Sequence, residues 1–228
     1  MATPRASRDM TAHSREVPIE PHQTAILFID VQNYNCDRNG GEYAGIPEAE
    51  FADKYGYFFV TLAKTALPNM QLLLAAARAA NIEVLHTLIE SQTQDGRDRS
   101  LDYKITGFHV PKGSWDAQVL PALAPLPDEM VFPKTSSSVF ISTNLDYVLR
   151  NLGTRYLIMA GCLTDQCVDS AVRDACDLGY LVTVATDACV TQSAERQSSA
   201  LRNNRGYCRQ RSTAELLDEI AACTGPGA

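Results

Sequence analysis

Asp30, Lys134 and Cys167 lie far apart in the chain, yet each closes or follows a short apolar run. Thr24-Ala-Ile-Leu-Phe-Ile-Asp30-Val-Gln-Asn33 is an apolar strand pattern ending on a carboxylate, and Val131-Phe-Pro-Lys134-Thr-Ser-Ser-Ser-Val-Phe140 is a short strand leading to a lysine and a small-residue turn. Tyr156-Leu-Ile-Met-Ala-Gly-Cys-Leu-Thr-Asp-Gln-Cys-Val-Asp-Ser170 reads as a buried strand, a corner at Gly161 and the first turn of a helix. Ligands of parallel α/β sheets gather at the carboxyl ends of strands, so the three side chains are expected to meet there. Together they offer a base, an electrostatic stabiliser and a nucleophile. Cys167 would attack a carbonyl carbon, Asp30 would take the thiol proton and return a proton to a leaving amine, and Lys134 would stabilise the anions.

Val168, Ala171, Val172, Ala175 and Leu178 recur at spacings of three and four, which predicts a helix with one buried face. Thr164 is the expected cap. Cys167 then sits in the first turn, where free N–H groups favour an anion and can lower a thiol pKa from about 8.5 to roughly 3.5–7.5. The plain alternative is a small buried hydrophobe. A tetrahedral oxyanion would find backbone donors at Cys167 and at Leu163 or its neighbour.

These stretches resemble the isochorismatase-like cysteine hydrolases. The matching residues are Asp30-Val-Gln32, Lys134 with Ser138-Val-Phe140, and Gly161-Cys-Leu-Thr164-Asp-Gln-Cys167-Val168. The resemblance runs from about Thr24 to the end of the chain. It implies a three-layer α-β-α fold around a central parallel sheet, an Asp30–Lys134–Cys167 catalytic set, a thioester intermediate and no cofactor. It also implies a cis peptide at Cys162-Leu163 that turns an N–H into the oxyanion hole, and a homo-oligomer. Nicotinamidases of this family carry an Asp-x-His metal motif after the second strand. Here Glu90-Ser-Gln92 stands there, and the four histidines are at 13, 22, 86 and 109, so no metal site is expected. The Gly-Gly loop is closer to the ureidoacrylate, N-carbamoylsarcosine, biuret and triuret branches. Isochorismatases proper cleave a vinyl ether without a cysteine, so Cys167 counts against that reaction. The expected reaction is cleavage of a C–N bond in a small linear amide or ureido compound. Other readings are a catalytically idle binding or scaffold subunit, and a redox protein pairing Cys162 with Cys167.

The elements that must position these groups alternate throughout. Strands are expected at 24–29, 82–88, 131–134, 157–160, 181–185 and 207–209. Helices are expected over about 51–80 with Pro68 as an interruption, then from Thr143-Asn-Leu-Asp146 to Leu152, over 193–204, and after a capping box at Ser212-Thr-Ala-Glu215. At 228 residues, 45% hydrophobic and 21% charged, the chain suits one α/β domain, 24–228, behind an N-terminal arm, 1–23.

The Tyr34–Gly45 loop is a candidate pocket wall, with Asn33 and Tyr34 offering hydrogen bonds to an amide or ureido substrate. Arg202, Arg205, Arg209 and Arg211 cluster, and Arg205 beside Gly206 is a candidate substrate contact, the alternative being a solvated basic face or a subunit contact. His86 reads as a core histidine, and Trp115 lines the pocket or packs beneath it. A net charge of −7 argues against non-specific nucleic-acid or anionic-membrane partners. No run approaches the roughly 18 apolar residues of a membrane span. Seven cysteines without a regular framework, and no apolar signal segment, point to free thiols in a reducing cytoplasm.

Overall fold

The computed structural model describes residues 14–224. Six parallel strands form one sheet in the order β3-β2-β1-β4-β5-β6. They are β1 (Thr24–Ile29), β2 (Glu83–Ile89), β3 (Met130–Lys134), β4 (Tyr156–Cys162), β5 (Leu181–Val190) and β6 (Arg209–Arg211). Every residue of β1 and of β4 is buried, as strands covered on both faces require.

The period of two sorts the strands' side chains into two cores. Ile26 and Phe28 of β1, with Ile158 and Ala160 of β4, face one helical layer. That layer consists of α2 (Glu48–Thr61), α3 (Leu67–Ala79) and α9 (Thr213–Thr224). Ala25, Leu27 and Ile29, with Leu157 and Met159, face the other. There α5 (Val139–Ser142), α6 (Leu145–Asn151) and α7 (Asp169–Asp177) supply Val139, Leu145, Leu149, Ala171 and Val172. The fold is therefore the three-layer α-β-α sandwich.

α2 and α3 are one continuous run joined by a π-helical turn at Leu62–Ala66, and Pro68 falls in the first turn of α3. Pro68 has no N–H to donate, and the helix widens ahead of it instead of ending. The run Glu48–Ala79 is long and apolar enough on average to cross a membrane. Its stripe of Phe58, Leu62, Ala66, Met70, Leu73 and Ala77 is nevertheless seated on the sheet.

Several local expectations shift. β6 lies at Arg209–Arg211, just beyond the expected 207–209, and β5 continues past Asp187 to Val190 after the register with β4 slips between Met159 and Gly161. Gly161 is still inside β4, at φ 125°, where a Cβ would stand 2.2 Å from the Ile29 carbonyl oxygen. The corner follows it. The loop after β1 contains a short helix, α1 (Asn33–Cys36), and the polar stretch 91–112 contains α4 (Leu101–Thr106), capped by Ser100 and ended at Gly107, φ 85°. At the start of α6, the Thr143 hydroxyl accepts the Leu145 N–H. α8 (Ala194–Asn204) is capped by Ser193, and Ser212 and Glu215 exchange both bonds of a capping box before α9.

Of the expected N-terminal arm, residues 1–13 lie outside the described residues. Within 14–23, Ile19 is buried in the first core and Glu20 accepts from the Tyr156 hydroxyl at 3.1 Å.

Candidate active site

Asp30 is the residue after β1, with φ 55°, a left-handed conformation open to aspartate. Its N–H donates to the Thr87 carbonyl at 3.1 Å, and its carboxylate Oδ1 accepts from Thr87 Oγ at 2.6 Å. The neighbouring strand thus fixes the carboxylate. Oδ2 lies 2.9 Å from Lys134 Nζ, the two side chains being 1% and 0% exposed. Nζ also donates to the Tyr103 hydroxyl and the Ser136 carbonyl, each at 3.0 Å, and to Cys167 Sγ at 3.3 Å. Burial opposes the charge on Lys134, but Asp30 above all, then Cys167 and Tyr103, hold its pKa well above the usual value.

The third group arrives from β4. The Cys162–Leu163 peptide bond is cis. A π-helical turn, Thr164–Val168, follows and continues into α7; the Leu163 carbonyl accepts from the N–H groups of Gln166 and Val168. Among the described residues, the Leu163 N–H donates to no backbone carbonyl. Thr164 does not cap the turn: its hydroxyl donates to Gln197 Oε1 at 2.8 Å, tying the turn to α8.

Cys167 is 7% exposed, with Ser137 Oγ at 3.8 Å and the Tyr103 hydroxyl at 4.0 Å. Burial pushes its thiol up to about 11; Lys134 opposes the rise and Asp30 adds to it. The expectation of a thiol lowered by its helix turn is therefore corrected. The site is screened from water, and the Lys134 charge is already balanced by Asp30.

These groups open onto a cavity of about 360 Å³ whose wall includes Asp30, Cys167, Leu163, Tyr103, Phe108 and Glu42. Asn33 and Tyr34 stand behind that wall. The Asn33 amide donates to the Trp115 carbonyl at 2.9 Å, and Tyr34 is buried against Phe108. Trp115 is 48% exposed and does not line the cavity. Arg205 is a correction: it lines a separate groove with Arg15, Tyr156 and Leu181. Tyr156 and Leu181 begin β4 and β5, so Arg205 is at the amino end of the parallel sheet, opposite Asp30 and Lys134. Its neighbour Arg209 is buried and forks onto Glu219 through two 2.8 Å bonds. His86 stacks on Phe28 in the core, as a structural histidine does.

All seven cysteines are free thiols, and the sulfur that meets Cys162 is that of Cys36, at 3.5 Å. Among the described residues no group of three or more His, Cys, Asp or Glu has metal-holding geometry. Sequence reasoning missed Thr87, Tyr103 and Ser137. Thr87 was legible in principle, since it lies two residues before the end of the strand beside Asp30. Tyr103 and Ser137 carry no signal in a single sequence that separates them from other polar loop residues.

Fold and site define an α/β protein with a buried carboxylate–ammonium–thiol cluster at the carboxyl end of a parallel sheet. The family model for the isochorismatase domain matches residues 24–216. The chain is 31% identical over 200 residues to the ureidoacrylate amidohydrolase RutB of Rhizobium rhizogenes, covering 80% of this chain and 77% of that one. A cysteine hydrolase from Pseudomonas syringae pv. phaseolicola superposes with a TM-score of 0.78 at 25% identity, covering 91% and 96% of the two chains. An N-carbamoylsarcosine amidase from Thermoplasma acidophilum shares the fold, with a TM-score of 0.64 at 20% identity and coverage of 84% and 96%. The protein belongs to the isochorismatase family.

Proposed function

We propose that the protein hydrolyses a small linear amide or ureido compound through a thioester on Cys167, releasing ammonia or an amine. Its membership of the family and its likeness to the RutB amidohydrolase support a hydrolase of carbon–nitrogen bonds other than peptide bonds. The observation that carries the mechanism is the closed cluster, with Asp30–Lys134 at 2.9 Å and Lys134–Cys167 at 3.3 Å, whose Asp30 and Cys167 both line one cavity.

In this reading the Cys167 thiol gives its proton to Asp30 as sulfur attacks the carbonyl carbon, so no free thiolate need persist beforehand. Lys134 balances the negative charge as it passes from carboxylate to sulfur and oxygen. The Leu163 and Cys167 N–H groups receive the oxyanion, and each such donor is worth around 10²–10³ in rate. Collapse of the tetrahedral species breaks the C–N bond, and the protonated Asp30 supplies the leaving nitrogen's proton. Water, deprotonated by the same carboxylate, then attacks the thioester and restores the thiol.

The test is ammonia release from a panel of amides and ureido compounds, nicotinamide included. Cys167→Ser should abolish turnover while Cys162→Ser keeps most of it. Turnover unaffected by Cys167→Ser would refute the mechanism, and loss with Cys162→Ser alone would move the nucleophile.

A further inference from the structure

The cavity beside Cys167 is chemically one-sided. Glu42 and Asp102 line it, and among the described residues no arginine, lysine or histidine does, Lys134 being buried behind its wall against Asp30. Glu42 follows the Gly40-Gly41 pair and is half-buried, and among the described residues its carboxylate has no hydrogen-bond or ion-pair partner.

Asn35, which also lines the cavity, is an independent observation. It is 95% buried by its 5% exposure, and its Oδ1 has no hydrogen-bond partner. Its orientation follows from its neighbours. The Cys162 S–H donates to the Asp30 carbonyl at 3.4 Å, leaving a sulfur lone pair towards Asn35, whose Nδ2 donates to it at 3.4 Å. The amide is thereby turned with its oxygen unused. A buried carbonyl oxygen without a donor is costly, and a ligand that brings an N–H relieves it.

We propose that Glu42 and Asn35 form an acceptor wall selecting ureido compounds whose non-reacting end carries N–H donors and no carboxylate. The inference rests on the amidohydrolase reading of the Cys167 cavity and narrows its substrate class. An acrylate-bearing substrate, of the kind named for the RutB relative, would set its carboxylate among Glu42 and Asp102 with no free cation to meet it. Burial pushes the Glu42 carboxyl up to about 7, so a bound N–H donor would draw it to its ionised form.

The experiment is calorimetric binding to the full-length Cys167→Ala protein, with biuret and 3-ureidopropionate as paired probes, repeated after Glu42→Gln and Glu42→Arg. Biuret should bind at least roughly tenfold tighter than the carboxylate; Glu42→Gln should shrink that preference and Glu42→Arg should reverse it. Equal or inverted preference in the Cys167→Ala parent, binding of neither probe, or a preference untouched by both Glu42 variants would overturn the inference. Ammonia release by the protein with Cys167 intact is measured in parallel. Cys167-dependent release from 3-ureidopropionate but not biuret would sink this substrate class while leaving the hydrolase reading standing, whereas failure of that reading shows in the Cys167→Ser comparison.

Discussion

In the proposed mechanism the carboxylate at Asp30 is held by a hydroxyl that does not line the cavity. Thr87 Oγ donates to Asp30 Oδ1 at 2.6 Å, leaving Oδ2 for Lys134. A hydrogen bond to a charged group is worth about 1.5–3 kcal/mol, so Thr87→Val should lower kcat by roughly tenfold to a hundredfold. Thr87 is a positioning residue, so KM should stay nearly constant and Thr87→Ser should restore most of the rate. Steady-state kinetics of both variants check this; equal losses in Thr87→Val and Thr87→Ser would show that packing of the methyl group, not the hydroxyl bond, is what matters. The raised Cys167 thiol fits the proposed mechanism, in which a nucleophile screened from water would need its base in place.

At the scale of elements, the last strand is secured by charge rather than by length. β6 has three residues, and Arg209 within it is 2% exposed, bonded to Thr183 of β5 and to both oxygens of Glu219 on α9. Removing one partner of a buried ion pair strands the other, at a cost of about 3–5 kcal/mol. Glu219 remains partly open to water, which places the expected loss for Arg209→Ala near the lower figure. Urea unfolding of Arg209→Ala and of the Arg209→Met/Glu219→Leu pair separates the contributions. The paired apolar change should recover much of the stability, and a pair no better than the single variant would contradict this account.

At the scale of the whole molecule, acid should weaken the fold through His86. The ring is 1% exposed, stacked on Phe28, and burial pushes its pKa down to about 4. Glu129, 3.8 Å away, pulls the other way and is outweighed. Above about pH 6.5 the histidine is neutral both folded and unfolded; below it the unfolded chain binds a proton first. Stability therefore falls as the pH drops from about 6.5 towards 4, by on the order of 3 kcal/mol from this group. Denaturant titrations across that range should show a shallower decline for His86→Phe than for the unaltered protein. Parallel declines would rule out His86 as the source.

What the sequence determined by itself is what short-range pattern encodes. The strands before Asp30 and Cys167 alternate into both cores, and burial on two faces leaves a strand little other sequence to be made of; the shorter run before Lys134 sends Phe132 into one core only. The capping box at Ser212 and Glu215 needs a spacing of three, which is visible in a line of text. What only the tertiary structure decided concerns groups brought together across the sheet. Arg205 sits among arginines in sequence, yet parallel strands carry it to the end of the sheet opposite Asp30 and Lys134. Thr164 had a cap's position but found Gln197 instead. The ionisation of Cys167 was misjudged from its helix turn because burial, Lys134 and Asp30 act on it together, and all three come from folding. Asn35 and Glu42 lay in a loop whose role as a wall could be anticipated. Which of its side chains face the cavity depends on the turn through α1 and on Asn33 fastening to Trp115, contacts spanning some eighty residues that no local spacing records.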